Sequence, residues 1–160
     1  MQHEITAQVL ALRESQRRPP DQRGAPLASL SQGATHIRWT GPVRGPVAVL
    51  IHGLTSPLQV WDQIAGGIGA MGYRVLCYDL YGRGLSDAPR GRQDLAFFTR
   101  QLGDLLTAQG LNEDVTLIGY SMGGAIATAF AAAHPQQVKR VVLLAPAGIA
   151  PGQLDAPTAF

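Results

Sequence analysis

The chain has 160 residues, 46% of them hydrophobic and 15% charged, with a net charge of +2. These figures suit one folded domain with a sizeable core, and the basic residues, nearly all arginine, are too scattered to form a nucleic-acid-binding stripe. The single cysteine, Cys77, excludes an internal disulfide, and its apolar neighbours mark it as a buried structural thiol suited to a reducing compartment.

Residues 1–26 read as an extension to the main domain. Ile5 to Leu12 is mildly amphipathic and predicts a short helix, with docking to a membrane surface or a partner as the alternative reading. The Arg-Arg-Pro-Pro-Asp-Gln-Arg-Gly-Ala-Pro run that ends the extension is a tether of helix breakers. Leu27 to Leu30 and His36 to Thr40 predict two strands of a hairpin turning at Ser31-Gln32-Gly33, with His36 facing solvent. Val47 to Ile51 is a continuous apolar run rich in β-branched residues, the pattern of a strand buried on both faces of a parallel sheet. It ends in His52-Gly53-Leu54-Thr55-Ser56-Pro57, where Gly53 lets the backbone leave the strand sharply. Val60, Trp61, Ile64 and Ile68 then mark one face of a helix weakened by Gly66, Gly67 and Gly69.

Tyr73 to Tyr78 predicts the next buried strand, followed by the loop Asp79-Leu80-Tyr81-Gly82-Arg83-Gly84-Leu85-Ser86-Asp87, rich in residues that tolerate unusual dihedrals. Within it, Asp79 is expected to brace neighbouring loops by hydrogen bonds and Arg83 to help fix the loop. Gln93 to Gln109 predicts an amphipathic helix with Leu95, Phe98, Leu102, Leu105 and Leu106 on its apolar face, stopped by Gly110. Val115 to Ile118 reads as a strand, Ala125 to Ala133 as a helix, and Val138 to Leu144 as a last apolar strand; Ala145 to Phe160 is rich in Pro and Gly and has no pattern. Strands alternating with helices predict an α/β fold, a mostly parallel sheet with helices on both faces. No segment is long and apolar enough to span a bilayer, and no apolar stretch of signal-peptide type follows the first residues, so a cytoplasmic protein is expected. The histidines and the cysteine lie apart from one another, so neither a metal site nor a cofactor is expected.

Between the strand and helix near residue 120 stands Gly119-Tyr120-Ser121-Met122-Gly123, with the spacing of a nucleophile elbow. Gly119 and Gly123 flank a turn too tight for side chains, Gly124 lets the helix lie close on the sheet, and Ser121 would sit in a strained conformation with its hydroxyl held out of the turn. The amide of Met122 would lie at a helix N-terminus, where unpaired N–H groups favour negative charge. Tyr120 and Trp61 are candidates to line a pocket, Trp61 fitting a core position equally well.

His52-Gly53, Asp79-x-x-Gly82-x-Gly84-x-Ser86 and Gly119-x-Ser121-x-Gly123, in that order and each at a strand end, resemble the α/β-hydrolase superfamily from about Leu27 to about Ile149. The resemblance implies a serine nucleophile at Ser121, deprotonated by a histidine that an acid orients, and an oxyanion hole made by the amides of Leu54 and Met122. It implies hydrolysis of small-molecule carboxylic esters through an acyl-serine. Hydrolysis of C–C bonds, thioesterase and perhydrolase activity share the same elbow, whereas dehalogenases and epoxide hydrolases use a carboxylate nucleophile. His52, Gly53, Gly119, Gly123 and Asp79 would support the elbow and its facing loop.

The chain departs from the family pattern after the elbow. There the family places its acid and then its histidine, on strands beyond the one ending at Leu144, yet no histidine follows His134. His134 reads as a residue at the C-terminal end of the elbow helix, and His52 as an orienting residue of the oxyanion loop. Asp155 stands either where some relatives place the acid or at the start of a lid insertion. The expectation is an N-terminal part of a hydrolase domain over residues 27–160, inactive alone, with acid and base on a missing C-terminal segment or a partner chain. A non-catalytic pseudo-hydrolase is the alternative. On this reading the strand Val138 to Leu144 becomes a bare sheet edge. A dinucleotide-binding domain is excluded, because Gly82-x-Gly84 lacks the third glycine and the helix start of a pyrophosphate cradle.

Overall fold

A computed structural model describes residues 25–148. The predicted helix at Ile5 to Leu12, the tether before Gly24 and Asp155 lie outside the described residues. The order of elements is β1 (Leu27–Leu30), β2 (Gly33–Thr40), β3 (Val47–Ile51), a 3₁₀ turn (Leu58–Trp61), α1 (Asp62–Ala70), β4 (Arg74–Tyr78), α2 (Leu95–Ala108), β5 (Val115–Tyr120), α3 (Met122–Ala133) and β6 (Val138–Leu144). They form a six-stranded sheet in the order β1-β2-β4-β3-β5-β6. The β1-β2 hairpin is antiparallel, as is its junction with β4; β4, β3, β5 and β6 run parallel.

The apolar runs are buried on both faces, as their lack of alternation predicts. Val49, Ile51, Leu76, Tyr78 and Leu117 face one layer of the core, with Phe98, Leu102 and Leu105 of α2 and Ile126 and Phe130 of α3. Ala48, Leu50, Val75, Cys77 and Ile118 face the other, beneath Leu58, Trp61 and Ala65. Helices therefore cover both faces of a mostly parallel sheet. Cys77 is fully buried, and burial pushes its thiol up to about 11, so it is an inert core residue.

Three local expectations need correction. Val60 and Ile64 are exposed, at 43% and 45%, while Leu58, Trp61 and Ala65 are buried. The observed face, Leu58, Trp61, Ala65 and Ile68, keeps helical three-and-four spacing but runs through Ala65 and not Ile64, so Val60 and Ile64 stand to its side. The second helix begins at Leu95, where the Asp94 side chain accepts from the Phe97 N–H and caps it; it buries Phe97 and Gln101 besides the predicted Phe98, Leu102, Leu105 and Leu106, while Leu95 is only half-buried. His36 does not face solvent; it is 7% exposed and belongs to the network around Asp79.

Parallel pairing sets the site. Ile51 of β3 lies opposite Gly119 of β5, so the loop that leaves β3 and the turn that leaves β5 emerge side by side at one edge of the sheet.

Candidate active site

Ser121 stands between the last residue of β5 and the first of α3 with φ 53° and ψ −119°. A non-glycine residue at positive φ is strained by about 1–3 kcal/mol and persists only where its surroundings hold it. They do so here: the Ser121 N–H donates to the Leu144 carbonyl at 3.0 Å, and the Ser121 carbonyl accepts from the N–H groups of Gly124 and Ala147, each at 2.9 Å. Both the end of β6 and the loop after it thus pin the turn.

The packing around the turn leaves no room for side chains. A Cβ on Gly123 would lie 2.0 Å from the Ile51 carbonyl oxygen, and one on Gly119 would lie 2.3 Å from the Gly123 oxygen. Gly123 thus lets α3 start directly against the end of β3, a closer reason than the tightness of the turn itself. A Cβ on Gly53 would meet the Ser121 Cβ at 3.2 Å and the Tyr120 ring at 3.3 Å, which puts the loop after β3 against the serine. Gly124 lies against Pro146, where a Cβ would come within 2.8 Å.

Ser121 is half-buried, and among the described residues its hydroxyl has no hydrogen-bond partner. Nor do the amides of Leu54 and Met122 donate to any protein acceptor among those residues. The Met122 amide is the first of α3, where orphan N–H groups and the helix dipole together attract an anion.

Each described histidine is occupied elsewhere. The His52 Nε2 accepts from the Leu80 N–H at 2.9 Å, and Nδ1 lies 2.7 Å from the Gly53 carbonyl. Because a backbone N–H can only donate and a carbonyl only accept, the ring is neutral with its proton on Nδ1. Burial lowers its pKa, outweighing the Gly53 hydrogen bond and the Asp79 charge, which raise it. His134 lies at the far end of α3, stacked 4.5 Å from the Phe130 ring; the helix separates it from Ser121 by about 18 Å at 1.5 Å per residue. His36 donates through Nδ1 to the Asp79 carboxylate at 2.7 Å.

Asp79 is the hub beneath these loops. Its side chain, wholly buried, accepts from His36, from the Leu58 N–H at 2.8 Å and from the Leu85 N–H at 3.0 Å. Burial pushes its pKa up, but the hydrogen bonds from His36, Leu85 and Leu58 outweigh it and hold the carboxyl below the usual range. Gly84, at φ 53°, allows this, since a Cβ there would lie 2.1 Å from the Asp79 Oδ2. The Asp79 backbone carbonyl accepts from the Ser86 hydroxyl and the Gln101 amide, and Gln101 also accepts from the Tyr81 N–H.

Arg83 reaches back across the site. Its Nε donates to the Leu54 carbonyl at 3.2 Å and its Nη1 to the Tyr81 carbonyl and to Gln93 Oε1, with the guanidinium over the Phe98 ring. Tyr120 is 38% exposed beside Ser121, whereas Trp61 is a core residue. Sequence reasoning missed His36, Ser86 and Gln101 as members of this network. Gln101 carried a signal: a lone polar residue on the core face between Phe97 and Leu105. Among the described residues no cluster of histidine, cysteine and acidic side chains could hold a metal ion, and no helix is long and apolar enough to cross a membrane.

A family profile described as alpha/beta hydrolase fold matches residues 46–158. An uncharacterised protein of Mycobacterium tuberculosis is 35% identical over 105 residues, which cover 66% of this chain and 30% of that protein. Lipase 1 of Psychrobacter immobilis is 37% identical over 109 residues, covering 68% of this chain and 34% of the lipase. The crystal structure of the enol-lactonase from Burkholderia xenovorans superposes with a TM-score of 0.69 at 30% identity, covering 72% of this chain and 45% of the lactonase. The chain spans about a third of the length of the curated relatives it matches. With the profile covering well over half of its residues, this chain belongs to the alpha/beta hydrolase family.

Proposed function

We propose that this chain carries the nucleophile and the oxyanion hole of a serine hydrolase acting on small-molecule carboxylic esters. The observation that carries the reading is Ser121, strained at φ 53° at the mouth of α3, with the loop of Gly53 and Leu54 packed against it. Ser121 Oγ attacks the ester carbonyl, its proton passes to a base, and the carbonyl oxygen gathers negative charge between the Leu54 and Met122 amides. Collapse of the adduct breaks the bond to the alcohol, which leaves with that proton; water then hydrolyses the acyl-serine. The chemistry requires neither metal nor cofactor.

The base is not among the described residues, since His36 and His52 are held by other partners and His134 lies at the far end of α3 from Ser121. On this reading a histidine and an acid come from polypeptide beyond β6 or from a partner chain. The same fact favours a second reading, a non-catalytic pseudo-hydrolase. A fluorophosphonate probe separates them, because covalent capture needs an activated hydroxyl. The hydrolase reading expects no labelling of this chain alone and labelling of Ser121, lost in Ser121→Ala, once a segment bearing the acid and the histidine is supplied. No labelling with that segment present sinks it and leaves the pseudo-hydrolase.

A further inference from the structure

We infer that Arg83 is a positioning residue for the Leu54 amide: with His52 it holds the two carbonyls that bracket this N–H and so sets the direction in which it donates. The inference rests on reading that amide as an oxyanion donor.

In a trans peptide the C=O and N–H point to opposite sides of one plane. The plane that carries the Leu54 N–H also carries the Gly53 carbonyl, which accepts from His52 Nδ1 at 2.7 Å. His52 cannot swing, because its other nitrogen is held by the Leu80 N–H. The next plane carries the Leu54 carbonyl, which accepts from Arg83 Nε at 3.2 Å. With the planes on both sides of the Leu54 Cα tied, its φ and ψ are no longer free. Side-chain packing cannot do this work, since Leu54 is 54% exposed. The guanidinium is itself anchored by Tyr81 and Gln93, at 2.8 and 2.7 Å, and by the face of Phe98. A fork that serves three acceptors in different directions is a task for arginine, which lysine, a point charge on a flexible stem, cannot copy. Arg83 thereby couples the loop after β4 and the entry to α2 to the direction of one N–H in the loop after β3.

The test uses this chain, isotopically labelled on nitrogen and supplied with the segment that bears the acid and the histidine, with phenylboronic acid as the probe. The Ser121 oxygen bonds to boron, water leaves, and the remaining boron oxygen sits where an oxyanion would. In the wild type the Leu54 and Met122 amide resonances shift together on titration, and Ser121→Ala abolishes both shifts. In Arg83→Met, which keeps the aliphatic stem, affinity falls about tenfold and the Leu54 shift is lost while that of Met122 remains. Arg83→Lys, which keeps the charge, behaves in the same way. Should Arg83→Met not fold, Gln93→Ala loosens the guanidinium from outside the loop and lowers affinity about threefold. Arg83 or Gln93 variants that bind like wild type, with both amides shifting together, overturn the inference and leave the hydrolase reading standing. No binding by wild type, or binding unchanged in Ser121→Ala, overturns both.

Discussion

Replacing Asp79 by Asn tests the hub beneath the site, because it keeps the shape and removes the charge. The carboxylate accepts three hydrogen bonds, from His36 Nδ1, Leu58 N and Leu85 N, at 2.7, 2.8 and 3.0 Å. An asparagine presents one oxygen and one NH₂ group. With its nitrogen towards Leu58, the two donors there face each other; with its nitrogen on the other side, His36 can change tautomer but the Leu85 N–H loses its acceptor. Either way one buried backbone donor is orphaned and the remaining bonds lose their charge. An unsatisfied buried donor costs about 1–3 kcal/mol and charge-assisted bonds contribute about 1.5–3 kcal/mol each, so Asp79→Asn should destabilise by about 3 kcal/mol. For a domain of this size that lowers the Tm by about 10 °C.

The pH dependence follows from the direction of the shift. The folded pKa of Asp79 lies below its ordinary value of 3.8, so its contribution is fully present above that value and is lost as pH falls through the folded pKa. Thermal melts followed by circular dichroism should show the full gap between wild type and variant at pH 7 and at pH 5, closing below pH 3.8. Equal melting temperatures at pH 7, or a gap undiminished in acid, would refute the reasoning.

Other predictions rest on single residues. Gly123→Ala forces a Cβ to within 2.0 Å of the Ile51 oxygen, whereas Gly67→Ala in α1 meets nothing within 4 Å. Denaturant titration should show the first losing about 3 kcal/mol and the second gaining about 0.5–1 kcal/mol from helix propensity. The Tyr78 hydroxyl is buried without a partner among the described residues, so Tyr78→Phe should leave stability unchanged or raise it by about 1 kcal/mol, read from the same titration. The pKa of His52 is lowered from its ordinary 6.5; the unfolded chain takes up a proton below that pH before the folded one does, so its contribution to stability is full above 6.5 and declines as pH falls. Melts of His52→Gln between pH 7.5 and 5 should lack that part of the acid loss.

What could be read from the sequence was steric and local. The elbow lies within five residues, and its glycines answer collisions that any strand-to-helix turn of that tightness must avoid. The buried strands announced themselves as unbroken apolar runs. The network under the site was hidden because its partners are far apart in the chain: His36 and Asp79 are separated by 43 residues, Leu58 and Asp79 by 21. A histidine inside a short strand carries no mark of which face it takes when the strand is buried on one side and open at the end. The buried face of α1 was missed for a different reason, since it runs through the small Ala65 while the larger Val60 and Ile64 stand exposed, so apolar bulk pointed to the wrong positions.

On the proposed reading, the described residues supply the part of a hydrolase that receives negative charge, and the part that receives a proton lies outside them. Removing the base from a serine triad leaves about 10³–10⁴-fold acceleration over water, while the complete set supplies about 10⁶-fold more than its absence. In free energy that missing factor is about 8 kcal/mol, larger than any contribution the loops around Ser121 could make by further refinement. The direction from which it can arrive is constrained. The Ser121 backbone is held on one side by β5 and on the other by the Leu144 carbonyl and the Ala147 amide. Among the described strands, β6 pairs only with β5, and its Leu143 and Leu144 are exposed, at 37% and 36%, beside the elbow. On the proposed reading, an imidazole presented by polypeptide added along that open edge would reach Ser121 from the β6 side, across the turn from the Leu54 loop that leaves β3 on the other side of β5.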